Sequence, residues 1–388
     1  MNNGKYVFSQ IAEFLPRRVF DNYVKKYNGN KYVKHFTCWN QMLCMIFGQL
    51  TSRDSLRDLI VVTNAHSNKI YHLGLGKTVT RSNLAKANEK RNHKIFEEFA
   101  YYLIEIARKK KSSNDDFEIE GNIYAFDSST IDLCLSVFWW ANFRKIKGGI
   151  KLHTLYDVTT QIPSFVHITP AKVHDVNAMD FIPYESEAYY VFDRGYLDFK
   201  RLYHINKLSA YFVIRSKSNM KFRRIYSNKI DKATGVMYDQ IVKLTGVAAL
   251  NHYPIKLRRI KFFDKDNNRA FIFLTNNMEL EASEIAMLYK KRWMVELFFK
   301  WIKQHLKVKS FWGESENAVR IQVFTAIISY CLVAIVGSDL KINRSTYEIL
   351  QILSVSLLDK TPVNELLKGP SLSGVEDLDC NQLKFNLF

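Results

Sequence analysis

The chain has 388 residues, with 56 Lys and Arg against 38 Asp and Glu, a formal net charge of +18, and 47 % hydrophobic residues. At about 150 residues per domain this length makes two or three domains, and the apolar fraction excludes a disordered basic tail protein. The excess charge calls for an anionic partner, nucleic acid first, unless it serves solubility alone.

The charge is unevenly spread: residues 1–112 are net +12, 113–217 net −2 and 218–282 net +6. A protein that only coats phosphates has no use for an acidic centre. The cysteines (Cys38, Cys44, Cys134, Cys331, Cys380) contain no C-x2-C pair, which excludes a zinc ribbon or thioredoxin motif. They read as reduced cytosolic thiols. Met1 to Gln10 is polar and lacks the apolar stretch of a signal peptide.

In chain order, Phe36 to Leu50 and Asn92 to Ala107 carry apolar residues at helical spacing. Between them, Thr80 or Ser82 caps a short helix bearing Arg81, Lys86, Lys90 and Arg91. Following a turn with Gly74 and Gly76, this basic helix fits a helix-turn-helix reader of DNA, and equally a helix with a solvated basic face. Gly74-Leu-Gly-Lys-Thr78 is not a P-loop, because Tyr71 stands where its first glycine belongs. The charged run Arg108 to Asp116 reads as a linker that closes a helical domain over 1–112.

Beyond it the period changes to that of strands. Ile123 to Asp127 and Ala188 to Asp193 are apolar strands that each end in a carboxylate, and Lys151 to Val158 with Ile162 to Ile168 forms a hairpin. Asp198 to Lys207 reads as a helix and Ala210 to Ile214 as a strand, completing an α/β unit over 113–217. Residues 218–282 read as an all-β insertion. Ser283 then caps a long helix, with Glu284 in its first turn, that runs to about Leu306 within a segment 283–340. Ile321 to Val336 is too short for a membrane span and contains Gln322, Ser329 and Tyr330, so a buried core helix is expected. The tail, 341–388, holds one further helix, Thr346 to Leu358, and a Gly/Ser/Pro stretch.

At about 100° per residue, Tyr289, Arg292, Glu296 and Lys303 fall on a stripe roughly 60° wide, flanked by Met294, Leu297, Phe298 and Trp301. A narrow polar stripe on a mostly apolar helix needs partners. Arg292 pairing Glu296 at i,i+4 would supply them within the helix itself. Asp127 and Asp193, at strand ends, supply partners outside it. Together with Glu296 they form a set of hard oxygen ligands of the kind that suits Mg²⁺ or Mn²⁺ and phosphodiester chemistry.

Tyr289-x2-Arg292-x3-Glu296-x6-Lys303 resembles the Y-R-E-K signature of bacterial insertion-sequence transposases of the insertion-sequence 4 family. Phe126-Asp-Ser-Ser129 resembles that family's first-aspartate region and Val191-Phe-Asp-Arg-Gly-Tyr196 its second, over about 120–340. The resemblance implies a ribonuclease-H-like mixed-sheet core interrupted by a β insertion and preceded by a helical DNA-binding domain. It implies that Asp127, Asp193 and Glu296 are catalytic and hold two Mg²⁺ or Mn²⁺ ions. Transposon ends would be nicked and their 3′ hydroxyls joined to target DNA, by a cut-and-paste route that in relatives passes through a hairpin. Tyr289, Arg292 and Lys303 would contact phosphates near the cut, with Arg194 beside the second aspartate.

The insertion's Lys221, Arg223, Arg224, Lys256, Arg258, Arg259 and Lys261, with Phe222, Tyr226, Tyr253 and Phe262, suit a strand-gripping surface. Trp139 and Trp140 read as core, and His153, His167 and His174 as structural. The expected partner is double-stranded DNA, with a homodimer in the DNA complex, no membrane and no small-molecule cofactor, in a bacterial cytoplasm. The rivals are a nuclease of the same core that cuts without joining, and a DNA-binding repressor with an inactive core.

Overall fold

The computed structural model describes residues 4–111, 119–133, 138–144, 147–217, 220–265, 267–305 and 311–369. Six helices come first: α1 (Val7–Ala12), α2 (Arg17–Lys26), α3 (Cys38–Leu50), α4 (Leu56–Ala65), α5 (Arg81–Lys90) and α6 (Lys94–Lys110). Side-chain oxygens of Thr37, Ser55 and Thr80 cap α3, α4 and α5 by accepting backbone N–H bonds that the first turn leaves free. Arg91 follows α5 as its C-cap and does not share its solvated face. Its guanidinium donates to Gln41 Oε1 at 2.8 Å and to the carbonyls of Thr37 and Phe36, pinning α5 to the start of α3.

Arg108 to Lys110, expected in a linker, are the last turn of α6. Arg108 donates to the buried Asp157 at 3.0 Å and to the Tyr124 hydroxyl at 2.6 Å. A basic run thus serves the core through one member. Residues 112–116 of that run lie outside the described residues.

The strands and their helices follow: β1 (Ile123–Leu133), β2 (Asn142–Arg144), β3 (Lys147–Asp157), β4 (Ile162–Pro170), β5 (Tyr189–Phe192), α7 (Phe199–Lys207), β6 (Tyr211–Arg215), β7 (Phe222–Ser227), β8 (Val236–Leu244), α8 (Val247–His252), β9 (Leu257–Asp264) and β10 (Arg269–Thr275). All ten strands share one mixed sheet, in the order β2-β3-β1-β5-β6-β10-β9-β8-β7, with β4 also paired to β3. β5 lies parallel to β1 and β6, while β3 runs antiparallel to β1. Every residue of β5 is buried, as a central parallel strand covered on both faces requires.

Residues 218–282 differ from an all-β insertion in two ways. They contain the helix α8, and β10 pairs antiparallel with β6, so the block extends the core sheet. This pairing joins residues about sixty apart, and no local pattern announces it.

α9 (Ala282–Lys291) and α10 (Trp293–His305) replace the single long helix expected, with Arg292 outside both. Glu281, not Ser283, is the cap, in a capping box with Glu284. The expected helix end near Leu306 lies outside the described residues. α11 (Glu316–Asp339) is long and apolar enough to cross a membrane, but 94 % of its apolar stretch is buried inside the protein. It packs on α3, α5 and α6 and reaches the sheet through Tyr330 beside Tyr156. The front helices and the sheet therefore share one apolar core, from Val7 to Leu367. α12 (Thr346–Ser356) and α13 (Val363–Lys368) close the described chain. Most of the Gly/Ser/Pro stretch lies outside the described residues.

Candidate active site

The parallel ladder of β1 and β5 ends at the pair Phe126↔Phe192, so Asp127 and Asp193 are the next residues on adjacent strands. Asp193 ends its strand as expected. Asp127 does not: β1 continues to Leu133, and what ends at Asp127 is its pairing with β5. The buried rings Phe126 and Phe192, with centroids 6.0 Å apart, fix the two backbones just before the carboxylates. Asp127 Oδ1 accepts the Ser128 N–H at 2.8 Å, and Asp193 Oδ2 accepts the Gly195 N–H at 3.5 Å.

The polar stripe of α9 and α10 lies over this point. The Tyr289 hydroxyl donates to Asp193 Oδ1 at 3.3 Å. Arg292 reaches Asp127 Oδ2 at 3.2 Å with Nη1 and Glu296 Oε1 at 2.6 Å with Nη2. Lys303 Nζ donates to the Thr130 carbonyl, further along β1, at 2.9 Å. The intrahelical pair Arg292–Glu296 therefore exists, but the other arm of Arg292 crosses to the strand. Tyr289, Arg292 and Glu296 thus meet Asp127 and Asp193 in one place, while Lys303 reaches β1 beyond Asp127.

Burial pushes the Asp127 carboxyl up to about 6; the Ser128 N–H and Arg292 oppose the rise, and the charges of Glu296 and Asp193 add to it. Burial acts to lower Arg292, yet Glu296, Tyr289 and Asp127 outweigh it and raise the guanidinium above its ordinary value. Tyr289 is pushed up to about 12, burial again leading. For Asp127 the sign is that of a raised acid. Between its ordinary 3.8 and about 6 the folded protein holds the extra proton, so stability falls as pH rises through that window. That contribution is at most about 3 kcal/mol. Urea melts from pH 4 to 7 should show this fall in the wild type and lose it in Asp127→Asn; a slope unchanged by the substitution would disprove the assignment.

The other expected contacts separate into exposed and committed side chains. Arg81, Lys86 and Lys90 are exposed on α5, whose Leu84, Ala87 and Asn88 are buried. Arg194 is exposed next to Asp193, and Arg223 and Arg224 are exposed on β7 at the end of the sheet. Arg258 departs from the expectation of a surface cation. It is buried and forms two bonds with the buried Asp239, at 3.0 and 2.8 Å. Arg259 is half-buried between the rings of Phe222 and Tyr238, at 5.2 and 5.0 Å from their centroids. Tyr253 is fully buried against Tyr203 and Phe212, whereas Tyr226 is exposed.

Trp140 is half-buried and donates to the Glu314 carbonyl, while the side chain of Trp139 lies outside the described residues. His153 is buried against Thr169, with its ring pushed down to about 4 by burial, and His167 stacks on Phe181; both are structural, and His174 is exposed.

Sequence reasoning missed Arg215. It ends β6, stacks over Phe271 at 5.1 Å and has no carboxylate partner among the described residues. With Phe262, Phe273, Trp293 and Lys290 it lines a cavity of about 470 Å³ that opens on Asp193, Tyr289 and Arg292. The signal was available: a cation closing the strand beside the one that ends in Asp193.

Asp127, Asp193 and Glu296 offer only hard carboxylate oxygens, the donors that Mg²⁺ and Mn²⁺ take. In that respect the set fits divalent ions. Among the described residues, however, no three His, Cys, Asp or Glu side chains are gathered as a metal-holding group, and Arg292 occupies an oxygen on each of Asp127 and Glu296.

A mixed sheet carries the two aspartates and the helix over it carries the glutamate, and the chain belongs to the DDE transposases: residues 119–332 match the family described as the transposase DDE domain. A second match, over residues 3–76, is to a domain of unknown function. Among curated relatives, a Sinorhizobium fredii protein named as transposase y4zB is 36 % identical over 69 % of this chain and 74 % of its own length. A Synechocystis protein named as a transposase for insertion sequence element IS4SA is 27 % identical over 74 % of this chain and 80 % of its own. A Geobacillus stearothermophilus protein named as a transposase for insertion sequence element IS5377 is 30 % identical over 53 % and 54 %. The chain is thus an insertion-sequence DDE transposase by kinship.

Proposed function

We propose that this transposase binds the ends of its insertion sequence, nicks them by metal-dependent hydrolysis, and joins the freed 3′ hydroxyls to target DNA by cut-and-paste. The observation that carries the reading is the convergence of Tyr289, Arg292 and Glu296 from the helical stripe onto Asp127 and Asp193. The resemblance of Tyr289, Arg292, Glu296 and Lys303 to the Y-R-E-K signature supports membership of the insertion-sequence 4 family. A ribonuclease-H-like core is supported by the order β4-β3-β1-β5-β6, with β3 antiparallel to β1 and β5 and β6 parallel to it and to each other.

Asp127, Asp193 and Glu296 are the proposed holders of two Mg²⁺ or Mn²⁺ ions. Such ions would supply an activated water and charge stabilisation at the leaving 3′ oxygen. The chain's own groups hold the strand. The Arg292 fork grips a phosphate, Lys303 adds a point charge at the far end of the stripe, and the Tyr289 hydroxyl donates a bond. Arg194, Arg223, Arg224 and the half-buried Arg259 extend the grip, and two ends in one reaction call for a homodimer. The setting is a bacterial cytoplasm, where chromosomal or plasmid DNA is the substrate. Purified protein, Mg²⁺ and labelled DNA cut from the flanks of the gene should give end-specific nicks and joined products. Cutting without joining would mean a nuclease, and binding alone a repressor.

α5 is the proposed docking helix for duplex DNA, since Arg81, Lys86 and Lys90 are each exposed on it while Leu84 and Ala87 are buried. Replacing all three with Ala should lower the slope of log affinity against log salt by about 2.7, at about 0.9 per phosphate contact. Nicking at saturating DNA should not change. A slope equal to that of the wild type would remove α5 from the interface.

A further inference from the structure

The metal-holding role proposed for the three carboxylates competes with the protein's own use of their oxygens. Five of their six oxygens already accept a bond from the protein. Ser128 N–H and Arg292 take the two of Asp127, Tyr289 and Gly195 N–H the two of Asp193, and Arg292 takes Oε1 of Glu296. Among the described residues, only the Arg292 fork binds two of the carboxylates together.

Arg292 is also placed to leave. It is the one residue between α9 and α10 that belongs to neither helix. Its Nε is buried and has no hydrogen-bond partner among the described residues, so the ion pairs leave its donor set incomplete. It lines the cavity of about 470 Å³ that also presents Arg215, Lys265 and Lys290, a cationic setting suited to a phosphodiester.

We propose that Arg292 is a displaceable plug of the carboxylate centre: without DNA it occupies Asp127 and Glu296, and a DNA phosphate that draws the guanidinium away opens those oxygens to divalent ions. The inference rests on the carboxylates being the metal ligands and Arg292 a phosphate contact. The charges match at each stage. Without DNA, one guanidinium offsets part of three carboxylates. With DNA, the guanidinium meets a phosphate and the carboxylates meet divalent cations. Ions arriving first must compete with the fork for the same oxygens. Metal loading thus follows DNA engagement, and a stray ion in the free protein is not armed against the wrong phosphodiester. Linkage requires the converse too: metal and DNA tighten each other by one common factor, typically about 5–150.

The test is Mn²⁺ binding, followed by electron paramagnetic resonance on the full chain without DNA. Arg292→Gln should bind Mn²⁺ at least about tenfold more tightly than the wild type, and adding Asp127→Asn to it should abolish the gain. Arg292→Lys keeps the charge but not the fork, and it should gain as well. Lys200→Gln removes an exposed charge of α7 outside the proposed centre, and should change binding less than about twofold. DNA cut from the gene's flanks should tighten Mn²⁺ binding in the wild type and do so less in Arg292→Gln. Circular dichroism melts establish that each variant is folded. The plug is refuted if Arg292→Gln binds no more tightly, if only the Gln variant gains, or if the gain survives Asp127→Asn. If single carboxylate variants still nick DNA, the failure belongs to the underlying reading of the centre.

Discussion

Asp127→Asn, Asp193→Asn and Glu296→Gln are each expected to slow nicking of end DNA by about a thousandfold or more, with DNA affinity held within a few-fold. The size follows from what each carboxylate is proposed to do. Charge stabilisation by a held metal is worth several kcal/mol, and each 1.36 kcal/mol is a factor of ten in rate. The substitutions keep the size and most hydrogen bonds of the side chain, so Asp193→Asn retains an acceptor for the Tyr289 hydroxyl. DNA affinity rests on lysines and arginines at phosphates, and none of the three replacements removes one of them. Residues that act as one unit do not add, so Asp127→Asn with Asp193→Asn should be little worse than either alone. Gel assays of nicking and filter binding on the same preparations decide the matter. Activity surviving in one single variant removes that residue from the centre, and a double variant worse by the product of the singles would mean separate roles.

The candidate site was legible because its signals are local. Apolar runs closing on Asp127 and Asp193 have the period of strands, and the 3.6-residue period alone places Tyr289, Arg292 and Glu296 on one side. The break at Arg292 did not spoil this, because the residue keeps helical dihedrals and shifts the stripe little. What was illegible depends on long-range pairing. Nothing in 218–282 says that β10 will join β6, and nothing in 1–112 says that α11 will seat the front helices on the same core as the sheet. Charge misled in the same way. Arg91, Arg108 and Arg258 read as solvated cations, because a sequence counts charges without showing which carbonyls or carboxylates fold back onto them.

Arg258→Ala is expected to cost about 3–5 kcal/mol of stability, the largest loss from any single basic residue of the 218–282 block. Its guanidinium is buried with Asp239, across β8 and β9, and Asp239 also accepts a bond from Asn228 at 2.8 Å. Removing the cation strands a carboxylate that has no water to turn to, and that penalty, rather than the worth of the pair, sets the size. Arg258 also donates to the Leu280 carbonyl, just ahead of α9, so the loss loosens the approach to the helix that carries Tyr289. Replacing both partners with apolar residues of similar volume, Arg258→Met with Asp239→Leu, should recover most of the stability, since no charge is then left alone. Urea melts of the three variants measure this directly. Salt titrations of DNA binding distinguish the alternative: a structural Arg258 leaves the slope of log affinity against log salt unchanged in the folded variants, whereas a phosphate contact lowers it by about 0.9. A lowered slope with little loss of stability would return Arg258 to the DNA surface that its charge first suggested.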